Sequence, residues 1–208
     1  FFDLINNEKI VFNRADNFSD KNELLIYSIQ FSRALSEDSY FLKRCESLKQ
    51  STYISSWSQQ PNESFGLWKV YLGGRNPGVA IKTNYKMLME SINSPEFDVF
   101  CGKVKYYQPR RGNLSEHIYQ FDDHQLIGTK YAGYEYEHEV RLFFRLEESR
   151  ATTQLVVPIE LDVNDLIQKV YLSPWISPWF RDTFNEIVNK LRPNILGKIN
   201  TSRIDDNG

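Results

Sequence analysis

Cysteine and histidine are scarce in this sequence of 208 residues, which holds two cysteines and three histidines. Cys45 and Cys101 lie far apart, and neither has a second cysteine or a histidine at the spacing of metal ligands. We therefore expect a reducing, cytoplasmic location and no structural zinc site. His117 and His124 lie seven residues apart, but no third ligand accompanies them, so the sequence predicts no metal site.

Long apolar runs and an excess of positive charge are also absent. No stretch approaches the roughly 20 apolar residues that a membrane span requires, and no signal-peptide pattern opens the chain. The 25 lysines and arginines are balanced by 27 aspartates and glutamates, which gives a net charge of −2. Such a chain has no broad positive field that would hold nucleic acid non-specifically. The expectation is a soluble protein with no membrane partner.

The spacing of apolar residues predicts an α+β fold, a single domain over residues 1–208 with a mixed, largely antiparallel sheet flanked by helices. Because the first residue is Phe1, we expect a short N-terminal piece, including a strand, to precede it. A helical segment is predicted over 20–50, and a C-terminal helix and strand over 177–201. The other predicted strands cover 10–12, 51–58, 78–81, 97–107, 136–146, 153–161 and 170–172, and a further helix covers 114–128.

Four charged residues alternate along the run YEYEHEVRLFF, namely Glu135, Glu137, Glu139 and Arg141. A strand here places all four on one face, with neighbouring acids about 6.6–7 Å apart. The residues between them form a mostly apolar opposite face that would pack inward, and they are Tyr136, His138, Val140, Leu142 and Phe144.

Three interpretations of this charged run stay open. The first is the solvated face of an edge strand, where most charge runs lie. The second is a ladder of ordinary ion pairs, between Glu139 and Arg141 or, if the segment is instead helical, between Glu137 and Arg141. The third is a catalytic carboxylate cluster, in which one acid stabilises positive charge on a substrate and another orients a hydroxyl or a nucleophile.

Serine hydroxyls and aromatic rings are the other candidate binding groups. In the predicted strand STYISSWS, Ser56 and Ser58 share one face, where they either bind a ribose or an amide or satisfy the following turn. Trp68 and Tyr71 lie three residues apart on a predicted helix and so cover one face, which core packing would also explain.

These patterns resemble the bacterial domain-of-unknown-function 2971 family over about residues 5 to 145. The resemblance rests on the order and spacing of several short motifs. They are Phe12 with FSDKNE, SSWS, LWKVY followed by GVAI, and Lys130 followed by YEYEHEVR. The matched side chains are Asp20, Glu23, Ser56, Ser58, Trp68, Tyr71, Gly78, Val79, Lys130, Tyr134, Glu137, Glu139 and Arg141.

The layout of the family is in turn similar to the arginine, serine, glutamate order of the ADP-ribosyltransferases, which act on NAD. The similarity implies that Glu139 is the catalytic carboxylate and that Glu137 orients the acceptor. It implies that the arginine contacting the phosphates is Arg14, or a residue that precedes Phe1. The residues implied to bind NAD are Ser56 and Ser58 at the nicotinamide ribose, the aromatic residues Trp68, Tyr71 and Tyr134, and Arg14.

The resemblance implies an NAD-using ADP-ribosyltransferase-like or NAD glycohydrolase-like protein of a bacterial defence or toxin system. Its small-molecule partner would be a nucleotide, and its acceptor a protein or a nucleic acid. The alternative is a non-catalytic module that binds a nucleotide or a protein partner through the same cleft. A metal-dependent nuclease is the third interpretation, although the sequence lacks an acid, acid, lysine pattern on adjacent strands.

Overall fold

The structure is a computed structural model that describes residues 1–18, 24, 39–107, 121–147 and 153–204. The helices are α1 Phe2–Asn7, α2 Ser39–Ser51, α3 Phe65–Leu72, α4 Tyr85–Ser91, α5 Asp123–Ile127, α6 Val163–Leu166 and α7 Pro178–Leu191. Short 3₁₀ helices cover Ala15–Asn17, Ala132–Glu137 and Pro193–Lys198. The strands are β1 Lys9–Arg14, β2 Thr52–Ser58, β3 Val79–Lys82, β4 Phe100–Lys103, β5 Lys105–Tyr107, β6 Thr129–Tyr131, β7 Glu139–Arg145, β8 Val156–Glu160, β9 Lys169–Leu172 and β10 Ile199–Thr201.

The chain folds into two compact units. Unit 1 comprises Phe1–Ile10, Gln60–Ser94 and Ile159–Gly208, and unit 2 comprises Val11–Gln59 and Pro95–Pro158. The extent of the single domain predicted over residues 1–208 stays a prediction.

A five-stranded sheet with the order β4-β7-β2-β1-β8 is the framework of unit 2. The chain enters this unit in β1 at Val11, leaves it after Gln59, returns at Pro95 and leaves it again in β8 after Pro158. Strand β7 is antiparallel to both of its neighbours, β4 and β2, and β2 is antiparallel to β1. Parallel pairing occurs between β5 and β6 and between β9 and β10. The predicted α+β class, with a mixed, largely antiparallel sheet flanked by helices, is therefore confirmed.

The register between β2 and β7 shows which of their residues share each face of this sheet. Ser56 lies opposite Arg141 and Ser58 opposite Glu139, and these four residues define what we call the charged face. On the other side, Tyr53 stacks on Phe144 with ring centroids 5.1 Å apart and an interplanar angle of 4°.

The residues Phe12, Tyr53 and Phe144 define the aromatic face of the sheet. The Phe12 and Phe144 centroids lie 5.3 Å apart, and the Phe97 ring stacks on Phe144 at 4.5 Å. All three residues of this face are buried. Of the five residues predicted to pack inward, Leu142 and Phe144 are buried and Val140 is half-buried, whereas Tyr136 and His138 are exposed, so the prediction is wrong for these two.

A hydrophobic core packs on the same side of the sheet as the charged face, toward the end of β7. Ile54 and Phe143 are buried there together with Cys45 and Leu48 of α2 and Ile127 of α5. Helices α2 and α5 thus cover this part of the sheet, so the charged residues lie beside a packed core.

Unit 1 contains the three-stranded sheet β10-β9-β3 and the helix α7. The predicted start of α7 is confirmed, because the Ser177 side chain accepts from the Phe180 N–H and Pro178 is the first helical residue. Phe184 and Val188, four residues apart, are the buried residues of this helix. In the part of the chain that the structure describes, no helix is long and apolar enough to cross a membrane.

Several predicted elements differ from the observed ones. The strand predicted over 97–107 is interrupted at Val104, so that β4 pairs with β7 whereas β5 pairs with β6. The helix predicted over 114–128 is observed as Asp123–Ile127, and residues 114–120 lie outside the described residues. The predicted helical segment 20–50 is observed from Ser39 onward, and its earlier part, apart from Leu24, also lies outside them.

Candidate functional site

The acidic run does not form one continuous strand. Glu135 and Glu137 lie in the 3₁₀ helix Ala132–Glu137, and His138 has a left-handed backbone with a φ of 43°. Strand β7 begins only at Glu139. The strand predicted over 136–146 is observed only as Glu139–Arg145, and the predicted four-residue alignment is wrong, because the turn at His138 separates the first two acids from the strand.

The charged residues are buried, contrary to the solvated-face interpretation. Glu137, Glu139 and Arg141 are 8%, 4% and 2% exposed, whereas Glu135 is exposed. Strand β7 is also an internal strand of its sheet, between β4 and β2. A solvated edge strand is therefore wrong for Glu137 and Glu139, and buried charges of this kind require partners.

Glu139 is the centre of the network. Its Oε1 accepts from the Ser56 hydroxyl at 2.6 Å and from Arg141 Nε at 2.8 Å. Its Oε2 accepts from Lys130 Nζ at 3.0 Å and from Arg141 Nη2 at 3.1 Å. The predicted ion pair between Glu139 and Arg141 is confirmed, and each carboxylate oxygen already accepts two hydrogen bonds.

Lys130 joins the two carboxylates. Its ammonium lies 2.7 Å from Glu137 Oε2 and 3.0 Å from Glu139 Oε2, and 4.9 Å from the centroid of the Tyr134 ring. One cation thus offsets the repulsion between two acids that lie close together. Tyr134, which the resemblance implies as a stacking residue, instead stacks over this cation.

The charge state of Glu139 follows from these contacts. Burial alone raises the pKa of a carboxyl group, but Arg141, Lys130 and the Ser56 hydroxyl outweigh it and lower the pKa of Glu139 to about 2. Glu139 is therefore an anion at neutral pH. An anion fixed in place by four donors is suited to electrostatic work rather than to proton transfer.

Tyr106 is a residue of this site that the sequence analysis missed. Its hydroxyl oxygen accepts from the backbone N–H of Glu139 at 2.7 Å, while the Glu139 carbonyl accepts from Val104 N at 2.9 Å. Both backbone groups point toward β4 and β5, so Tyr106 lies on the side of β7 away from β2. Burial raises the pKa of Tyr106, so its hydroxyl stays neutral. No local sequence motif marks this contact, because it links two segments 33 residues apart.

The two predicted serines lie together beside the network. Ser56 donates to Glu139 as described, and Ser58 donates to the backbone carbonyl of Glu137 at 2.5 Å. Both serines are exposed. The structure thus brings together Glu137, Glu139, Ser56, Ser58 and Tyr134 of the predicted site.

Arg14 is not brought together with these residues. It is the last residue of β1. It pairs with Tyr53 of β2 and therefore lies on the aromatic face, opposite to that of Ser56. Its guanidinium binds Asp16 at 2.7 and 3.0 Å.

Trp68 and Tyr71 belong to unit 1, whereas the carboxylates belong to unit 2. Trp68 is buried, and its indole N–H donates to Glu63 Oε1 at 3.3 Å. Tyr71 is 65% exposed. The two rings therefore do not pack as one face of α3, although they lie three residues apart.

Within the described ranges, no three His, Cys, Asp or Glu side chains cluster as metal ligands would. Comparison of the chain with known protein families, with characterised proteins and with solved structures finds no match in any of the three.

Proposed function

We propose that the chain is an NAD-using protein of the ADP-ribosyltransferase-like or NAD glycohydrolase-like kind, with its reactive centre at Ser56, Glu137 and Glu139. The single observation that carries the proposal is the Ser56 hydroxyl bound at 2.6 Å to an ionised Glu139 on the neighbouring strand, with a second carboxylate alongside. This pairing supports the serine and glutamate contacts that the sequence resemblance implies, with Glu137 in the 3₁₀ helix that precedes β7. The family resemblance to domain-of-unknown-function 2971 remains part of the proposal.

The chemistry needs a fixed negative charge and a group that orients a nucleophile. In the proposed reaction the bond between the ribose C1 and nicotinamide breaks, and the leaving group takes the bonding electron pair. The sugar gains oxocarbenium character, which the anionic Glu139 would stabilise across a short distance. The oxygen of a water molecule or an acceptor hydroxyl would form the new bond to C1, and Glu137 would orient this oxygen and take up the proton that it loses, passing it to solvent.

Glu137 is chemically suited to the orienting role. Lys130 binds its Oε2, and no other side chain or backbone group among the described residues donates to its carboxylate. Its Oε1 is therefore available to accept a hydrogen bond from a nucleophile. Glu139 has no such vacancy, because four donors already occupy its two oxygens.

The proposal is tested by incubating the purified protein with NAD, alone and with a cell lysate, and analysing the products by mass spectrometry. Free nicotinamide and ADP-ribose indicate hydrolysis, whereas a protein or nucleic acid heavier by one ADP-ribose group indicates transfer. Glu135→Gln is the matched control, because Glu135 is exposed and lies outside the network. If NAD is not consumed above the uncatalysed rate in either reaction, the proposed activity is wrong.

A second candidate function is a non-catalytic module that binds a nucleotide through the same residues. One observation favours it, namely that Arg141 and Lys130 surround Glu139 with two cations. These cations reduce the net negative field that an oxocarbenium ion would experience. This candidate predicts that NAD raises the melting temperature of the protein without being consumed.

A further inference from the structure

The exposed hydroxyls of Ser56 and Ser58 both direct their single proton into the protein. Ser58 bonds to the Glu137 carbonyl oxygen, which can only accept, so Ser58 must donate. Ser56 bonds to the carboxylate of Glu139, which is ionised at neutral pH, so Ser56 must donate as well. Outward, each hydroxyl therefore presents only lone pairs.

Glu137 adds a third acceptor at the same place. Its backbone carbonyl holds Ser58, and its Oε1 receives no hydrogen bond from any described residue. Ser56 and Ser58 lie two residues apart on one face, about 7 Å from each other. Tyr106, whose hydroxyl carries a proton, contacts Glu139 from the opposite side of β7.

We propose that Ser56, Ser58 and Glu137 form an acceptor strip, which binds ligand groups that donate N–H or O–H hydrogen bonds and rejects carboxylates and phosphates. A carboxamide NH₂ group or a sugar hydroxyl fits this strip. A carboxylate in the same position would place its oxygens against three acceptors. The choice of nicotinamide as the ligand rests on the proposed function, whereas the polarity of the strip rests on the hydrogen bonds alone.

Discrimination of this kind is strong when a site lacks a complementary donor. Replacing a donating group of the ligand by an acceptor removes a hydrogen bond and leaves lone pairs facing one another. We expect the carboxylate analogue of a carboxamide ligand to bind at least about tenfold more weakly, since pockets built for one hydrogen-bonding pattern reject the wrong one by large factors.

The test compares two nearly isosteric pairs by titration calorimetry near neutral pH. The first pair is nicotinamide and nicotinate, and the second is NAD and its nicotinic acid analogue. The expected result is that each amide binds at least tenfold more tightly than its carboxylate partner. Equal or tighter binding of the carboxylates overturns the proposal, and so does the absence of nicotinamide and NAD binding at millimolar concentrations.

Serine variants identify the residues responsible. Ser58→Ala removes an outward acceptor, so it is expected to weaken amide binding several-fold and to leave carboxylate binding unchanged. Ser58→Thr keeps the hydroxyl and is expected to retain the preference, which separates loss of the acceptor from misfolding. Ser55→Ala is the matched control, because Ser55 lies on the opposite face of β2. An unaltered preference in Ser58→Ala contradicts the assignment of this serine.

Failure of the strip and failure of the proposed activity give different results. If the protein prefers the amides but does not consume NAD, the acceptor strip is supported and the proposed enzymatic activity is wrong. If the protein consumes NAD but binds the carboxylate analogue equally well, the proposed activity is supported and the acceptor strip is wrong.

Discussion

Arg141 donates both its Nε and its Nη2 to the carboxylate of Glu139, two residues earlier on the same strand, at 2.8 and 3.1 Å. Its Nη1 donates to the carbonyl of Ile127 at 2.6 Å. The guanidinium is therefore held on two sides while almost wholly buried. This arrangement fixes the Arg141 and Glu139 side chains inside the protein rather than on a solvated surface.

The first prediction concerns the removal of this cation. Arg141→Met leaves Glu139 buried, with Lys130 and Ser56 as the remaining side-chain partners among the described residues, so we expect the free energy of unfolding to fall by about 3–5 kcal/mol. Chemical denaturation measures the change. The control is Arg181→Met, which breaks an exposed pair with Asp182 at 3.5 Å and should cost at most about 1 kcal/mol. Similar losses in the two variants would contradict the buried network.

The second prediction concerns acid. The pKa of Glu139 is about 2 in the folded protein and near its ordinary value in the unfolded chain, so below that ordinary value the unfolded chain binds a proton that the folded protein does not. The stabilisation from Glu139 is thus complete at neutral pH and is lost as the pH falls from about 4.5 toward 2, a contribution of about 3 kcal/mol.

Unfolding curves recorded at a series of pH values test this linkage. Glu139→Gln should be less stable than the wild type at neutral pH and should show a shallower loss of stability with acid. Glu135→Gln serves as the control, since Glu135 is exposed and should not change the slope. A wild-type slope in Glu139→Gln would show that another group governs the acid transition.

The third prediction concerns Tyr106. Tyr106→Phe removes the only described acceptor of the Glu139 backbone N–H, and an unsatisfied donor of this kind costs about 1–3 kcal/mol. Tyr131→Phe, at an exposed position of β6, should change the free energy of unfolding by less than about 0.5 kcal/mol. The comparison is made by denaturant titration, and equal stability of both variants would argue against the contact.

The sequence predicts the strands of this site better than their surroundings. The alternation of apolar and charged residues correctly places Glu139 and Arg141 on one face and Leu142 and Phe144 on the other. The alternation gives a wrong result at Glu137, because His138 adopts a left-handed turn. The sequence does not reveal this turn, since charged residues alternate with other residues both before and after His138.

Burial of the charges is not readable from the local sequence. Alternating acids and apolar residues normally indicate a half-solvated strand, whereas here β6 supplies Lys130 and the end of α5 supplies the Ile127 carbonyl. These partners are fixed by the packing of distant segments. The pairing of Arg14 with Tyr53, which sets its face, is likewise a property of strand register.

The fourth prediction follows from the position of Arg14. Because Arg14 lies on the aromatic face and binds Asp16, Arg14→Gln should leave the dissociation constant for NAD unchanged within about twofold. Calorimetric titration measures it, with Ser58→Ala as the variant expected to weaken binding. A tenfold loss of NAD affinity in Arg14→Gln would contradict this prediction and show that Arg14 contributes to NAD binding.

The most direct test of the proposed activity is the rate of nicotinamide release from NAD by Glu137→Gln. This variant suits the test because the Glu137 carboxylate is bound by Lys130 alone among the described residues. Replacing this carboxylate should therefore disturb folding less than replacing that of Glu139. We predict that Glu137→Gln retains the fold but releases nicotinamide at least about tenfold more slowly than the wild type and Glu135→Gln. Equal rates in all three proteins, or no release by the wild type, would contradict a reactive centre at these carboxylates.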